Sequence, residues 1–313
     1  MEFFESAFWT GFLWPLIVMV AQSVLLLVVL LMSFIVVNGR YWAWEKIALG
    51  FCLLNLIYIP AALMVQPPLK DVLANGLVPN FPGGFNGDMF FFLMANIGTT
   101  IAPWMLFFQQ SSVVDKGMKE KDIPWGRFDT LFGSIITVVV AIFIVLLTGT
   151  ILKGVAIDDA AQASALVMEK NKWAGAMMAI GLFDAGLLGA ICISLATSWA
   201  FGEIFGWAHS LNAKIKEAPW FYVCYLFILI SAGLVVLIPG APLVLITLFV
   251  QVVAVTLLPA ALVFLILLLN DKHTMGEYSN TLTQNLIGGA IIAVIIVLST
   301  CYGISALFPT LFT

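Results

Sequence analysis

The nine residues Asn96-Ile97-Gly98-Thr99-Thr100-Ile101-Ala102-Pro103-Trp104 bring an amide, two hydroxyls and a pair of helix breakers into an apolar stretch. Apolar residues run from Met89 to Ala95 before them and from Met105 to Phe108 after them. Pro103 has no backbone N–H, and its ring clashes with the carbonyl four residues back. Gly98 adds backbone freedom. In a bilayer every backbone polar group needs a partner, so a broken helix persists only where it lines a cavity or meets other protein. Discontinuous helices of this kind form the mid-membrane substrate and ion sites of secondary transporters. Asn96, Thr100, Pro103 and Trp104 are then cavity or gating positions. The same residues also read as a plain proline kink whose freed carbonyls bond the Thr99 and Thr100 hydroxyls.

Few other polar groups fall at membrane depth. Asp184 lies in Gly181-Leu182-Phe183-Asp184-Ala185-Gly186, inside an apolar run. An intramembrane carboxylate is costly and points to function; its structural reading is a protonated acid bonded to a neighbouring hydroxyl. Small residues around it (Ala179, Gly181, Ala185, Gly186, Gly189) suit close helix packing. The Gln251 amide can coordinate a cation or bridge two helices. Asn55 and Pro60 mark a kink. Gln109, Gln110, Ser111 and Ser112 line an inner vestibule or simply end their helix. Cys52, Cys192, Cys224 and Cys301 each sit alone in an apolar run and read as packing residues. His209 and His273 are too few for a histidine cage. No Walker, Rossmann, metalloprotease or kinase pattern occurs, so no enzyme and no cofactor are expected.

The elements that hold these groups must be membrane helices. Hydrophobic residues make up 62% of the 313, charged residues 10%, and mean hydropathy is +1.10. A soluble domain would carry roughly 25% charge. Apolar runs of about 20 residues, as a ~30 Å hydrocarbon core requires, recur at 11–37, 44–65, 88–113, 128–152, 174–200, 220–239, 242–269 and 284–308. The fold class is an all-α polytopic membrane protein of eight spans, broken near 96–104. The net charge of −4 gives no support for a nucleic-acid partner. With the loop after the first span inside, Arg40, Lys46, Lys116, Lys119, Lys121, Arg127, Lys214, Lys216 and Lys272 are cytoplasmic, against Lys70, Lys153, Lys170 and Lys172 outside. That bias obeys the positive-inside rule and puts both termini outside the inner (cell) membrane. Pro67-Pro68 and Pro79 to Gly84 mark an irregular loop. Asp158 to Lys172 is mildly amphipathic and suits a short surface helix. Asp115 to Arg127 reads as a solvated connector, and Gly202 to Pro219 as an interfacial helix with Trp207 as its anchor.

The order of these features resembles the NRAMP divalent-metal transporters. Gly98-Thr99-Thr100-Ile101-Ala102-Pro103-Trp104 is similar to the family's sixth-helix motif G-A-T-V-M-P-H. Gln251 to Pro259, with Leu268-Leu269-Asn270-Asp271 and Met275-Gly276, resembles its tenth helix and the following loop; Tyr41 to Pro68 resembles its fifth helix and exit. The likeness covers helices four to eleven. It implies a partial LeuT-like fold, in which inverted repeats of five helices are followed by an extra one, and transport of a divalent cation bound at Thr99, Ala102 and Gln251.

Two departures refine that expectation. Members that carry manganese or iron place a methionine thioether and a histidine where this chain has Ala102 and Trp104, and an alanine where it has Thr99. Loss of the soft ligand favours a hard, hydrated ion such as Mg²⁺, as in the NRAMP-related magnesium-transporter branch. The family's D-P-G-N motif, whose Asp and Asn bind the ion, does not occur in this sequence. The expectation is a single transmembrane domain over 1–313 that lacks the first three family helices, as a truncated chain or one completed by a separate polypeptide. The alternative is a non-transporting membrane subunit or scaffold derived from a transporter.

Overall fold

A computed structural model describes residues 41–68, 86–155, 157, 159–238 and 241–307, with the isolated positions 34, 36, 72 and 84. The predicted span 11–37, and most of the proline-rich loop at 67–84, lie outside the described residues. Every regular element among those described is helical. In chain order they are α1 (Tyr41–Leu54), α2 (Tyr58–Met64), α3 (Gly87–Thr100), α4 (Pro103–Lys116), α5 (Ile123–Ile151), α6 (Ala160–Lys170), α7 (Lys172–Phe205), α8 (Pro219–Val236), α9 (Leu243–Asn270), α10 (Lys272–Met275) and α11 (Leu282–Leu307). Seven helical stretches among these residues are long and apolar enough to cross a membrane, and they coincide with the second to eighth predicted spans. The protein is an integral, multi-pass membrane protein.

The described residues fall into two compact units, one within 1–67 and 107–241, the other within 68–106 and 242–313. In the first unit α1 and α2 are separated by a 3-10 turn, Asn55–Ile57, at the predicted kink. Gly181 of α7 sits against the Tyr58 ring, 2.5 Å from where a Cβ would stand, so the missing side chain sets how closely α2 and α7 approach. Trp199 of α7 is packed edge-on to Phe108 at 5.6 Å and tilted against Phe221 at 6.1 Å. The surface helix expected over 158–172 is α6, capped by Asp159, whose carboxylate accepts from the Gln162 N–H at 2.7 Å.

Two loop expectations need correction. Gly202 to Pro219 is not an interfacial helix. α7 continues to Phe205 and stops at Gly206, which takes the left-handed conformation (φ 68°) that glycine adopts without strain. The chain then turns back on itself up to Ala218. The connector is also shorter than 115–127, because α4 runs to Lys116 and α5 starts at Ile123 with Pro124 in its first turn. Asp115 is consequently a helix residue. Its carboxylate accepts from Trp199 Nε1 (3.2 Å), Ser210 Oγ (2.7 Å) and the Leu211 N–H (2.7 Å). Its carbonyl accepts from Asn212 Nδ2 at 2.8 Å.

The second unit packs α3, α9 and α11 around Met94, Ala95, Val252, Val255, Leu258 and Ile295. Beyond α9, the Thr274 hydroxyl (2.6 Å) and the His273 N–H (3.0 Å) both donate to Asp271, and together they hold its carboxyl below the usual carboxylate range.

Candidate metal site

Helix α3 ends at Thr100, and Ile101 is extended, with φ −139° and ψ 117°. Ala102 is also outside the helix, and α4 begins at Pro103. The interruption therefore occupies 101–102 within the predicted 96–104. Its cause is covalent: Pro103 cannot donate the N–H that would have bonded the Thr99 carbonyl. The Ile101 N–H closes the last turn onto the Ile97 carbonyl at 2.9 Å, and the Met105 N–H opens the next one onto the Ala102 carbonyl at 3.0 Å.

The polar side chains before the break turn back on their own helix. Asn96 Nδ2 donates to the Phe92 carbonyl (2.9 Å), Thr99 Oγ1 to that of Ala95 (2.6 Å) and Thr100 Oγ1 to that of Asn96 (2.9 Å). Each bond spans four residues, the back-bonding that lets a hydroxyl sit in a membrane helix. The proline-kink reading thus had the right donors and different acceptors: carbonyls inside α3, not those freed by Pro103. A donated proton leaves each threonine oxygen a lone pair, so both hydroxyls keep the capacity to accept a bond or ligate a cation. All three side chains are exposed, whereas Ala102 is 1% exposed. Pro103 and Trp104 are half-buried.

Gln251 comes to the same place from α9. A Cβ built on Gly98 would overlap the Gln251 carbonyl oxygen and stand 2.8 Å from its carbonyl carbon. The two backbones touch one residue before Thr99. The Gln251 side chain is half-buried. Around this contact the unit is apolar, with Val252 and Val255 on one helix and Met94 and Ala95 on the other. The structure thus brings the Gly98 and Gln251 backbones together within one unit, three residues before the break, while the Thr99 side chain is exposed and turned onto its own helix. The oxygens on offer are carbonyl, hydroxyl and amide, all hard and uncharged, the donor set of a cation that keeps much of its water. Among the described residues no three His, Cys, Asp or Glu side chains gather as a metal cage.

Asp184 belongs to the other unit, where it is 1% exposed. Its Oδ2 accepts from Asn55 Nδ2 at 2.5 Å, and its Oδ1 has no hydrogen-bond partner among the described residues. Asn55 also donates to the Phe51 carbonyl at 3.3 Å. The pairing ties the 3-10 turn of one span to the middle of another. Sequence reading took Asn55 as a kink only; its nearest signal was a second polar residue at membrane depth. Past the break, α4 continues as a regular helix. Gln109 and Ser112 line a cavity in the first unit, Gln110 is exposed, and Ser111 Oγ donates to Glu203 at 3.5 Å.

Residues 10–305 match the Nramp family, described as natural resistance-associated macrophage protein-like. Shorter likenesses run to one of the subunits of NADH-quinone oxidoreductase in three bacteria. The protein of Bradyrhizobium diazoefficiens is 60% identical over 53 residues, that of Bradyrhizobium sp. (strain BTAi1) 58% over 52, and that of Nitrobacter hamburgensis 58% over 52. Each covers 16% of this chain and 15% of the relative, so the chain spans only a small part of the length of these relatives.

Proposed function

The chain belongs to the Nramp family, and from that premise we propose that it is a divalent-cation transporter, not an enzyme, that takes Mg²⁺ in preference to Mn²⁺ or Fe²⁺. The observation that carries this reading is the backbone contact of Gly98 with Gln251 beside the interruption at Ile101-Ala102. That contact sets the Gln251 backbone against the helical turn that leads into the break. Thr99, the Ala102 carbonyl and Gln251 hold the hydrated ion. Pro103 keeps the break open, and Asn96, Thr100 and Trp104 border the route. Ala102 offers no sulfur, so a soft ion gains nothing here. Among the described residues the proposed site has no carboxylate; an Asp and an Asn, carried by a longer form of the chain or by a separate polypeptide, are the proposed complement. The lysine and arginine bias supports an inner-membrane location with both termini external.

The test is uptake by the full chain in proteoliposomes under an inside-negative potential, with and without such a polypeptide. Mg²⁺ should enter faster than Mn²⁺, and the polypeptide should tighten Mg²⁺ binding in a calorimetric titration. Ala102→Met should raise the Mn²⁺/Mg²⁺ uptake ratio several-fold by restoring a thioether. An unchanged ratio removes Ala102 from selectivity.

Asp184 acts in this reading as a structural or gating group. The membrane potential supplies about 2.3 kcal/mol per charge per 100 mV. Two charges gain about 4.6 kcal/mol, enough for a gradient of more than about a thousandfold without proton coupling. Asp184→Asn keeps the side-chain shape and should retain most voltage-driven uptake. Loss of uptake in a folded, inserted variant would contradict that role.

A second reading, a non-transporting subunit, draws support from the likeness to a component of NADH-quinone oxidoreductase. Absence of uptake for every divalent ion, with the completing polypeptide present, favours it.

A further inference from the structure

Where α1 begins and α4 ends, and where α5 begins, the first unit has an open cavity of about 1290 Å³. All its walls come from this one unit. Its lining mixes apolar side chains, among them Val113, Phe128 and Leu131, with charged ones. Trp42 and Trp125 stand on its edge and are 54% and 73% exposed. Exposed tryptophans at the ends of membrane helices sit at the headgroup level. Ser112 in the wall is 7% exposed.

The charges differ in how far they are already used. Lys116 bonds Glu45 at 2.5 Å and lies over the Trp42 ring, and Asp122 accepts from the Lys119 N–H at 3.0 Å. Four exposed charged side chains of the lining remain outside any ion pair among the described residues: Lys119 and Arg127, Glu120 and Asp129. Asp122 forms no ion pair among the described residues either, so the lining offers unpaired groups of both signs. An anionic headgroup would leave the two carboxylates opposed by nothing, and a bare cation would leave the two basic groups so. A zwitterion satisfies both. The apolar side chains of the lining take acyl chain.

We propose that this cavity is a binding site for a zwitterionic phospholipid with a primary ammonium, namely phosphatidylethanolamine. Lys119 and Arg127 take the phosphate, and Glu120 and Asp129 accept hydrogen bonds from the ammonium. A quaternary choline has no N–H to give them, which sets the preference between two headgroups of equal charge.

The full chain, in nanodiscs of mixed phosphatidylethanolamine, phosphatidylcholine and phosphatidylglycerol, tests this by native mass spectrometry of retained lipid. Phosphatidylethanolamine should be enriched about tenfold over phosphatidylcholine, the ratio worth ~1.4 kcal/mol. The double variant Glu120→Gln, Asp129→Asn should erase that preference and still retain phospholipid. Arg127→Gln should lower retention of all three. These side chains are exposed, so thermal unfolding of the variants in detergent should match the parent. Retention without headgroup preference, a preference for phosphatidylglycerol, or a preference that survives the double variant would each overturn the proposal.

Discussion

Gly98→Ala is expected to destabilise the second unit by about 1–3 kcal/mol, the usual cost of forcing atoms into a packed interior, and to abolish cation uptake. The new methyl group would meet the carbonyl oxygen, the carbonyl carbon (2.8 Å) and the Cα (3.2 Å) of Gln251. These are backbone atoms of α9, so no rotamer change relieves the overlap. The helices must separate, and separation parts Gln251 from the break. Gly98→Val should be worse, since it adds two further methyl groups at a contact already closed by the Gln251 backbone. Gly289 and Gly303 provide the control, because a Cβ at either meets nothing within 4 Å. Alanine there should be neutral or slightly stabilising, through the better helix propensity of alanine. Thermal unfolding and uptake of the three alanine variants, measured side by side, separate packing from a general intolerance of larger residues in α3 and α11. If Gly98→Ala unfolds and transports like the parent, the α3–α9 contact does not hold the site.

The interruption at 101–102 was legible because its cause is covalent and local: proline lacks a donor wherever it stands, and a long apolar run around it can only be a span. Seven of the spans were legible for the same reason, since a bilayer imposes length and apolarity on each helix separately. What the chain order conceals is pairing at a distance. Asn55 and Asp184 are 129 residues apart, and no spacing rule joins them. Asp115 looked like one more loop charge, because charge near the end of a span is ordinary. Nothing local says that Trp199 and Leu211 donate to it. The interfacial helix expected after Gly202 failed on a single backbone feature, the left-handed Gly206, reinforced by those same bonds to Asp115.

Asp115→Ala is expected to destabilise the first unit by about 3–5 kcal/mol. Hydrogen bonds to a charged acceptor are worth roughly 1.5–3 kcal/mol each, and three end on this carboxylate. The sum is discounted because Asp115 is only half-buried and neighbouring bonds are not additive. Two of the donors are well buried: Trp199 is 1% exposed and Leu211 2%. Without the carboxylate, the Trp199 indole N–H and the Leu211 N–H lose their acceptor where water reaches poorly, and an unpaired buried donor costs its full desolvation. Asp115→Asn separates charge from shape. The amide keeps one acceptor oxygen but turns an NH₂ toward donors, so it should recover only a small part of the loss. Hydrogen exchange locates the effect: amides over 206–218 should lose protection first, because this turn is held to the end of α4 through Asp115 and through Asn212, whose Oδ1 also accepts from the Tyr41 N–H at 3.2 Å. Unfolding of Asp115→Ala within about 0.5 kcal/mol of the parent, the spread of a surface substitution, would show that the turn is held by the packing of Leu211 and Trp199, with the carboxylate incidental.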